Sequence, residues 1–183
     1  MPIHHRTDLL ERARASRRRY HLAGIPPGPE GTRETLRIMA RLAREYRRHP
    51  LVVELARYII EEVPAKNAAA EVEAIREWVS YQVRYTEDIT EVETLQTPEA
   101  LLESLQGDCD DQATLVAALV NAIGKKARFR AIAFAPDEFA HVYTEVLLGP
   151  PQDPRSWVSA ETTEDVHLGW QPPGIVASMI EHV

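Results

Sequence analysis

Three side chains in this sequence, Cys109, His141 and Glu161, are of the types that nucleophilic catalysis needs. Cys109 is the only cysteine of the 183 residues, and a deprotonated thiol is a strong nucleophile. A histidine can accept the thiol proton and later donate it, while a carboxylate orients the imidazole. Such a set indicates nucleophilic chemistry at the thiol.

Cys109 stands at the start of the most apolar helical stretch in the sequence. Asp108 is the predicted N-cap, and residues 113–120 leave almost no polar face, which indicates a helix packed on all sides. Gly124 is of the kind that ends helices. We therefore predict a central, buried helix that carries the thiol in its first turn.

The charges around the thiol set a condition on its chemistry. The free N–H groups of a helix's first turn favour a thiolate, but nearby carboxylates disfavour a second negative charge. The carboxylates in this turn belong to Asp108, Asp110 and Asp111. We therefore expect His141 to supply a compensating positive charge. The alternative is that Cys109 is a buried apolar residue without chemistry, the commoner fate of a free cysteine.

The rest of the pattern predicts helices first and strands afterwards, which is the order of an α+β fold. Amphipathic helices are predicted over residues 32–49, 50–64 and 67–85, with Thr32 as the cap of the first and Asn67 as the cap of the third. Thr97 caps a short helix that ends at Gly107. The alternating pattern that follows predicts strands over 127–134, 140–148 and 156–161, with a final helix or strand over 175–180. We expect the nucleophile's helix to pack on an antiparallel sheet.

An assumed strand register places the carboxylate beside the histidine. If Leu147 pairs with Arg155 in the hairpin, His141 lies directly opposite Glu161. Side chains of such a pair are about 5 Å apart, close enough for Glu161 to orient the imidazole. The alternative for His141 is a surface or core histidine without a catalytic role.

The composition limits which classes of protein this sequence can belong to. With 44% hydrophobic residues, the chain has enough material for one domain with a core. No apolar run approaches the about 18 residues of a membrane span, and no signal peptide is recognisable, so we expect no membrane partner and a cytoplasmic location. One cysteine allows no internal disulfide. The other histidines lack ligand spacing, so no metal or other cofactor is expected.

Positive charge is concentrated in the first 50 residues, which hold 12 Lys+Arg against 5 Asp+Glu although the net charge is −7. We interpret residues 1–31 as a basic N-terminal arm and Pro/Gly linker, and residues 32–183 as a single domain. The arm is expected to dock on an acidic or assembly partner, or on the acidic body of its own fold. The alternative is a solvated arginine-rich segment. Aromatic residues are not interleaved with the arginines, which argues against nucleic acid.

Three blocks of this sequence resemble the transglutaminase-like cysteine enzymes, which share the papain-like α+β fold. The resemblance covers roughly residues 68–165, and its blocks are 96–102 with 107–128, then 139–146, then 157–163. It implies that Cys109 is the nucleophile, that His141 is the general base and acid, and that Glu161 is the third member. The family usually has aspartate followed by Pro-Thr where this chain has Glu161-Thr162-Thr163. Glu164 and Asp165 are fallback candidates for the third position.

The resemblance also implies a function and an oxyanion site. The backbone N–H of Cys109 is the first expected oxyanion donor, and the second is Gln96, Gln106 or neither. The implied function is a cysteine peptidase that cleaves a peptide or isopeptide bond, or an enzyme that transamidates glutamine side chains. Short stand-alone members of this kind suggest a bacterial or bacteriophage setting, including association with the virion. The alternative is a catalytically silent module that binds a partner or supports an assembly.

Overall fold

A computed structural model describes residues 19–21, 25–26, 28–87 and 94–183. Most of the predicted basic arm lies outside these residues. Its described part includes strand β1 (Arg19–His21), which pairs antiparallel with β3 (Thr94–Gln96). The proposed domain boundary at residue 31 falls inside a helix, because α1 (Pro29–Tyr46) begins at Pro29 and Gly31 is buried. The prediction that Thr32 caps this helix is wrong, since Gly28 is the N-cap and Pro29 takes the first position, which suits proline.

Three further helices precede the nucleophile. They are α2 (Pro50–Ile59), α3 (Ala68–Gln82) and α4 (Pro98–Ser104). The predicted caps of the last two are confirmed, because the Asn67 side chain accepts from the Ala70 N–H and the Thr97 side chain from the Ala100 N–H. The short parallel pair β2 (Arg84–Tyr85) and β4 (Gln106–Gly107) then brings the end of α3 beside the start of the nucleophile's helix.

Helix α5 (Cys109–Ala122) is the centre of the fold, as predicted. It contacts the other four helices as well as strands β5 (Ala127–Ala135) and β6 (Glu138–Leu147). Every residue from position 110 to 120 is buried. The Thr144 hydroxyl on β6 donates to the Ala113 carbonyl on α5 at 2.8 Å, and both partners are buried. This bond fixes the strand that carries His141 against the helix that carries Cys109.

The main sheet has the order β7-β6-β5-β8 and is antiparallel throughout. Strand β7 (Trp157–Ala160) follows a single 3-10 turn, and β8 (Ala177–His182) decides between the two predictions for the final segment in favour of a strand. The chain is therefore α+β, with helices packed on one antiparallel sheet, as predicted.

The assumed hairpin register is wrong by two residues. Leu147 pairs with Trp157 rather than Arg155, and β7 ends at Ala160. Because side chains alternate with a period of two, this shift keeps the same side chains on the same face. Glu161 thus lies just beyond the strand end but still on the side of His141. No helix among the described segments is both long and apolar enough to cross a bilayer.

The burial of α5 predicts where stability is concentrated. Leu119 is 0% exposed in the last turn of this helix, so Leu119→Ala removes buried methyl groups and leaves a cavity. We expect a loss of about 2–5 kcal/mol in the free energy of unfolding, measured by urea titration with an unchanged m-value. The control Ile180→Ala, at a position 37% exposed on β8, should cost about 0.5 kcal/mol. Equal losses for the two variants would contradict a core centred on α5.

Candidate active site

Cys109 and His141 line the same cavity, which has a volume of about 320 Å³. Cys109 is half-buried at the N-terminus of α5, and His141 projects from β6 with 15% of its side chain exposed. The opposite wall is formed by Ile25, Pro26 and the first part of α1. Two of the three predicted catalytic residues therefore face one concave space that solvent can enter.

The third predicted residue is hydrogen-bonded to the second. The Nε2 atom of His141 lies 2.7 Å from Oε2 of Glu161, whose side chain is 1% exposed. The other carboxylate oxygen accepts from the Thr162 N–H at 2.9 Å and from the N–H and hydroxyl of Thr163 at 2.8 and 2.9 Å. The longer glutamate is therefore accommodated, because the two threonines that follow it supply donors to the oxygen that does not face the histidine.

These contacts keep Glu161 ionised. Burial by itself opposes ionisation of the carboxyl, but the hydrogen bond and charge of His141, together with the donors of Thr163, outweigh it. The net result is that the pKa of Glu161 is lowered from its ordinary value. A carboxylate held in this state can fix the imidazole tautomer and stabilise an imidazolium.

Helix α3 contributes two residues, Arg76 and Glu73, whose contacts fix the backbone around Glu161. Arg76 is 4% exposed, and its Nη1 donates to the Glu161 backbone carbonyl at 3.5 Å. Glu73 accepts two hydrogen bonds from Arg76, at 2.9 and 3.0 Å, and one from the Leu168 N–H at 3.1 Å. Sequence reasoning missed these residues. The signal was an arginine and a glutamate three positions apart on an otherwise core-facing helix.

The thiol of Cys109 is held in its protonated form. Burial raises its pKa, and the negative charges of Asp110 and Asp108 raise it further, while a backbone hydrogen bond from Val142 opposes them only in part. The predicted effect is thus found for Asp108 and Asp110, while that of Asp111 stays a prediction. The role of His141 as the compensating cation stays a prediction.

The two glutamines proposed as oxyanion donors do not line the cavity that Cys109 and His141 share. Gln96 uses its side-chain amide to donate to the Gln106 carbonyl at 2.8 Å and to the Asp111 carboxylate at 2.6 Å. Its backbone N–H donates to the other Asp111 oxygen at 2.6 Å. In this arrangement Gln96 positions the first turn of α5, and Gln106 contributes its backbone.

The same turn contains a group of carboxylates that is able to hold a metal ion. One oxygen each from Asp108, Asp110 and Asp111 lies within 4.8 Å of the others. The histidine spacing used in the sequence analysis could not reveal this group, whereas the run of acids around Cys109 does. Asp111 already accepts two hydrogen bonds from Gln96, and Asp108 accepts one from the Asp111 N–H at 3.4 Å as the helix N-cap. The described contacts therefore give Asp108 and Asp111 a structural role.

The fallback acids lie apart from the histidine's hydrogen bond. Glu164 and Asp165 are exposed beyond the loop of Glu161, and the carboxylate in the described hydrogen bond of the His141 ring is that of Glu161. Sequence reasoning also missed Tyr85. The register places Tyr85 opposite Gly107, two residues before Cys109, and its side chain lines a second cavity beside His141.

Comparison with known proteins gives the family but no curated relative. A family model for the transglutaminase-like superfamily matches residues 53–162, a span that contains Cys109, His141 and Glu161. No curated protein matches the sequence significantly.

Several solved structures resemble the fold. A candidate cysteine protease from Cytophaga hutchinsonii is 20% identical, and the match covers 71% of this chain and 45% of that one with a TM-score of 0.48. A candidate protease from Parabacteroides distasonis is 14% identical, and the match covers 73% of this chain and 29% of that one with a TM-score of 0.50. EGTA-treated LapG of Legionella pneumophila is 15% identical, and the match covers 92% of this chain and 77% of that one with a TM-score of 0.49. This chain spans less than half the length of the first two proteins, and at these identities the likeness concerns the fold alone.

The lowered pKa of Glu161 predicts a pH-dependent contribution to stability. A carboxyl whose folded pKa lies below its ordinary value of about 4.3 stabilises the folded state above that pH and loses this effect as the pH falls through the lowered pKa. We expect Glu161→Gln to lower the free energy of unfolding by about 1–3 kcal/mol near pH 7. The difference from wild type should shrink near about pH 3, as measured by urea titration. The exposed Glu164→Gln is the control, and a difference that does not change with pH would contradict an ionised Glu161.

The raised pKa of Cys109 predicts how the thiol responds to alkylation. Because the thiolate is the reactive form, the rate of iodoacetamide labelling should rise about tenfold per pH unit between about pH 6 and pH 8.5. Intact mass measures the labelling without ambiguity, since the chain has one cysteine. N-acetylcysteine serves as the control, with a plateau above its ordinary pKa of about 8.5. A plateau in the protein below about pH 7 would instead mean that a thiolate–imidazolium pair exists before substrate binds.

Proposed function

Because the chain belongs to the transglutaminase-like superfamily, we propose that it is a cysteine peptidase that cleaves a peptide or isopeptide bond through Cys109, His141 and Glu161. The observation that carries this proposal is the 2.7 Å contact between His141 and Glu161 at the edge of a cavity that Cys109 also lines. A buried carboxylate that orients an imidazole next to an accessible thiol is the arrangement that nucleophilic acyl transfer requires.

The first half of the reaction forms a thioester. His141 engages Glu161 through Nε2, so its Nδ1 is the atom left to accept the thiol proton. The sulfur of Cys109 attacks the carbonyl carbon of the scissile amide, and the negative charge that develops on the carbonyl oxygen is stabilised by the backbone N–H of Cys109 at the start of α5. The imidazolium then gives its proton to the departing amine as the C–N bond breaks.

The second half returns the thiol. Water, activated by neutral His141, attacks the thioester carbon, the C–S bond breaks, and the proton passes through the imidazole to the sulfur. If an amine takes the place of water, the same steps form a new amide, which is the transamidation alternative. The protonated resting thiol fits this scheme, because removal of its proton is coupled to attack.

A catalytically silent binding module is the second candidate. It differs from the enzyme in that Cys109 keeps its raised pKa when an acyl donor binds, because a thiol that retains its proton is not acylated. The bacteriophage or virion setting, and an acidic or assembly partner for the basic arm, remain predictions tied to this candidate as well as to the enzyme.

Acylation by a simple activated ester separates the two candidates. Wild type incubated with p-nitrophenyl acetate should release a burst of p-nitrophenol and gain one acetyl group at Cys109, detected by intact mass. Cys109→Ala should abolish both signals, and His141→Ala or Glu161→Gln should lower the acylation rate by about 10²- to 10⁴-fold. His167→Ala, at an exposed histidine outside the site, is the matched control. A wild type that reacts no faster than N-acetylcysteine would support the silent module.

A further inference from the structure

A second cavity of about 500 Å³ lies against the catalytic pair from another side. His141 and Glu161 are part of its lining, but Cys109 is not. His141 therefore stands between two concave spaces, because it also lines the cavity that contains the thiol. His141 is thus common to the linings of the thiol-side cavity and of this second cavity, here called the aromatic cavity.

The aromatic cavity has apolar side chains that are unusually open to solvent. Tyr85 and Phe134 are 45% and 46% exposed, and both are among the few large hydrophobic side chains that the described surface leaves open. Trp170 and Pro172 join them in the lining. Aromatic side chains gathered in a concave site favour apolar ligand groups, because such groups leave water and contact the ring faces. Scattered exposed residues need no explanation, whereas two aromatic residues in one cavity beside a histidine do.

The charges around this cavity disfavour acidic groups. Glu164 is exposed in its lining, and the buried Glu161 is ionised. Burial and then the negative charge of Asp108 raise the pKa of Tyr85 to about 12, so its hydroxyl stays protonated and neutral at ordinary pH. A neutral aromatic wall next to carboxylates accepts an uncharged apolar side chain and repels a carboxylate.

The chemistry tells which part of the substrate meets each cavity. The acyl group becomes bonded to Cys109 and must lie on the thiol side. The amine that leaves takes its proton from His141, so it lies on the side of the imidazole. His141 lines both cavities, so a substrate whose scissile nitrogen meets Nδ1 on the thiol side extends the residue of its leaving group past the imidazole into the aromatic cavity, whose lining lacks the thiol.

We propose that the aromatic cavity is the leaving-group subsite, an assignment that rests on the proposed function. The cavity selects substrates with a large apolar side chain on the residue that supplies the scissile nitrogen. Phe134 and Trp170 determine this specificity. The same subsite binds an incoming amine when the reaction runs from the thioester toward an amide, because the two directions share one transition state.

Partition of a common acyl-enzyme tests this subsite without a known substrate. The full-length protein is acetylated at Cys109 with p-nitrophenyl acetate, and phenylalanine amide, glycine amide or aspartic acid amide then competes with water for the thioester. The amine nitrogen forms the new C–N bond as the C–S bond breaks, and the amine proton passes through His141 to the sulfur. Liquid chromatography measures each N-acetyl amino acid amide against acetate.

Phenylalanine amide is expected to be acetylated at least about tenfold more efficiently than glycine amide, which corresponds to burial of most of an aromatic side chain. Aspartic acid amide should be the poorest acceptor. Phe134→Ala and Trp170→Ala should each reduce the ratio of phenylalanine to glycine amide to about threefold or less, since each removes part of the apolar wall. Ile180→Ala is the matched control, because Ile180 is an exposed apolar residue of the same sheet that does not line the cavity, and it should keep the wild-type ratio.

Failure of the proposed function and failure of the subsite assignment give different results in this experiment. A wild type that is not acetylated refutes the proposed function itself. An acetylated wild type with equal use of phenylalanine and glycine amides refutes the aromatic subsite alone, as does a preference that survives Phe134→Ala and Trp170→Ala. Iodoacetamide labelling at a fixed pH shows whether each variant retains a native thiol environment, so a lost preference in a variant with an altered labelling rate also counts against the assignment.

Discussion

Glu161 is 1% exposed, and a carboxylate in such a place is stable only when donors surround it. His141 satisfies one oxygen, and the backbone and hydroxyl groups of the next two residues satisfy the other. The donors come from two kinds of local structure: His141 is on a central strand, and the groups of Thr162 and Thr163 belong to the loop that follows Glu161. The candidate site depends on this one buried charge, since the position of the imidazole follows from it.

Hydrogen bonds between the helices and the sheet relate the position of Glu161 to that of the thiol. The Thr144 hydroxyl links β6 to α5 near Cys109, and Arg76 links α3 to the backbone of Glu161. The loop that carries the acid is thus tied to a helix on one side and to the histidine strand on the other. A buried arginine whose charge is paired with Glu73 is costly to disturb, which makes α3 part of the support of the site rather than a remote layer.

Negative charge is the dominant electrostatic feature around the nucleophile. Burial raises the pKa of Cys109, and the negative charges of Asp110, Asp108 and the ionised Glu161 raise it further. In such surroundings a resting ion pair gains little, while a proton transfer coupled to attack avoids a second buried anion. Two acids near Cys109 nevertheless have structural roles, because Asp108 caps α5 and Asp111 accepts hydrogen bonds from Gln96 with both of its oxygens.

Local chemistry in the sequence was enough to place the elements and the chemical groups. Asp108, Thr97 and Asn67 are caps in the structure as their residue types predicted, and the apolar run after Cys109 is the buried central helix, because capping and burial depend on neighbours a few residues away. The pairing of His141 with Glu161 was also predicted, although through a strand register two residues from the true one, which a period of two tolerates. The start of α1 was misplaced because proline at the first helical position outweighed a threonine cap. Only the tertiary structure decided that Gln96 is bound to Asp111, that Arg76 supports the acid, and that Tyr85, Phe134 and Trp170 meet beside His141. These contacts join residues far apart in the chain, and their partners are set by how layers pack rather than by any local pattern.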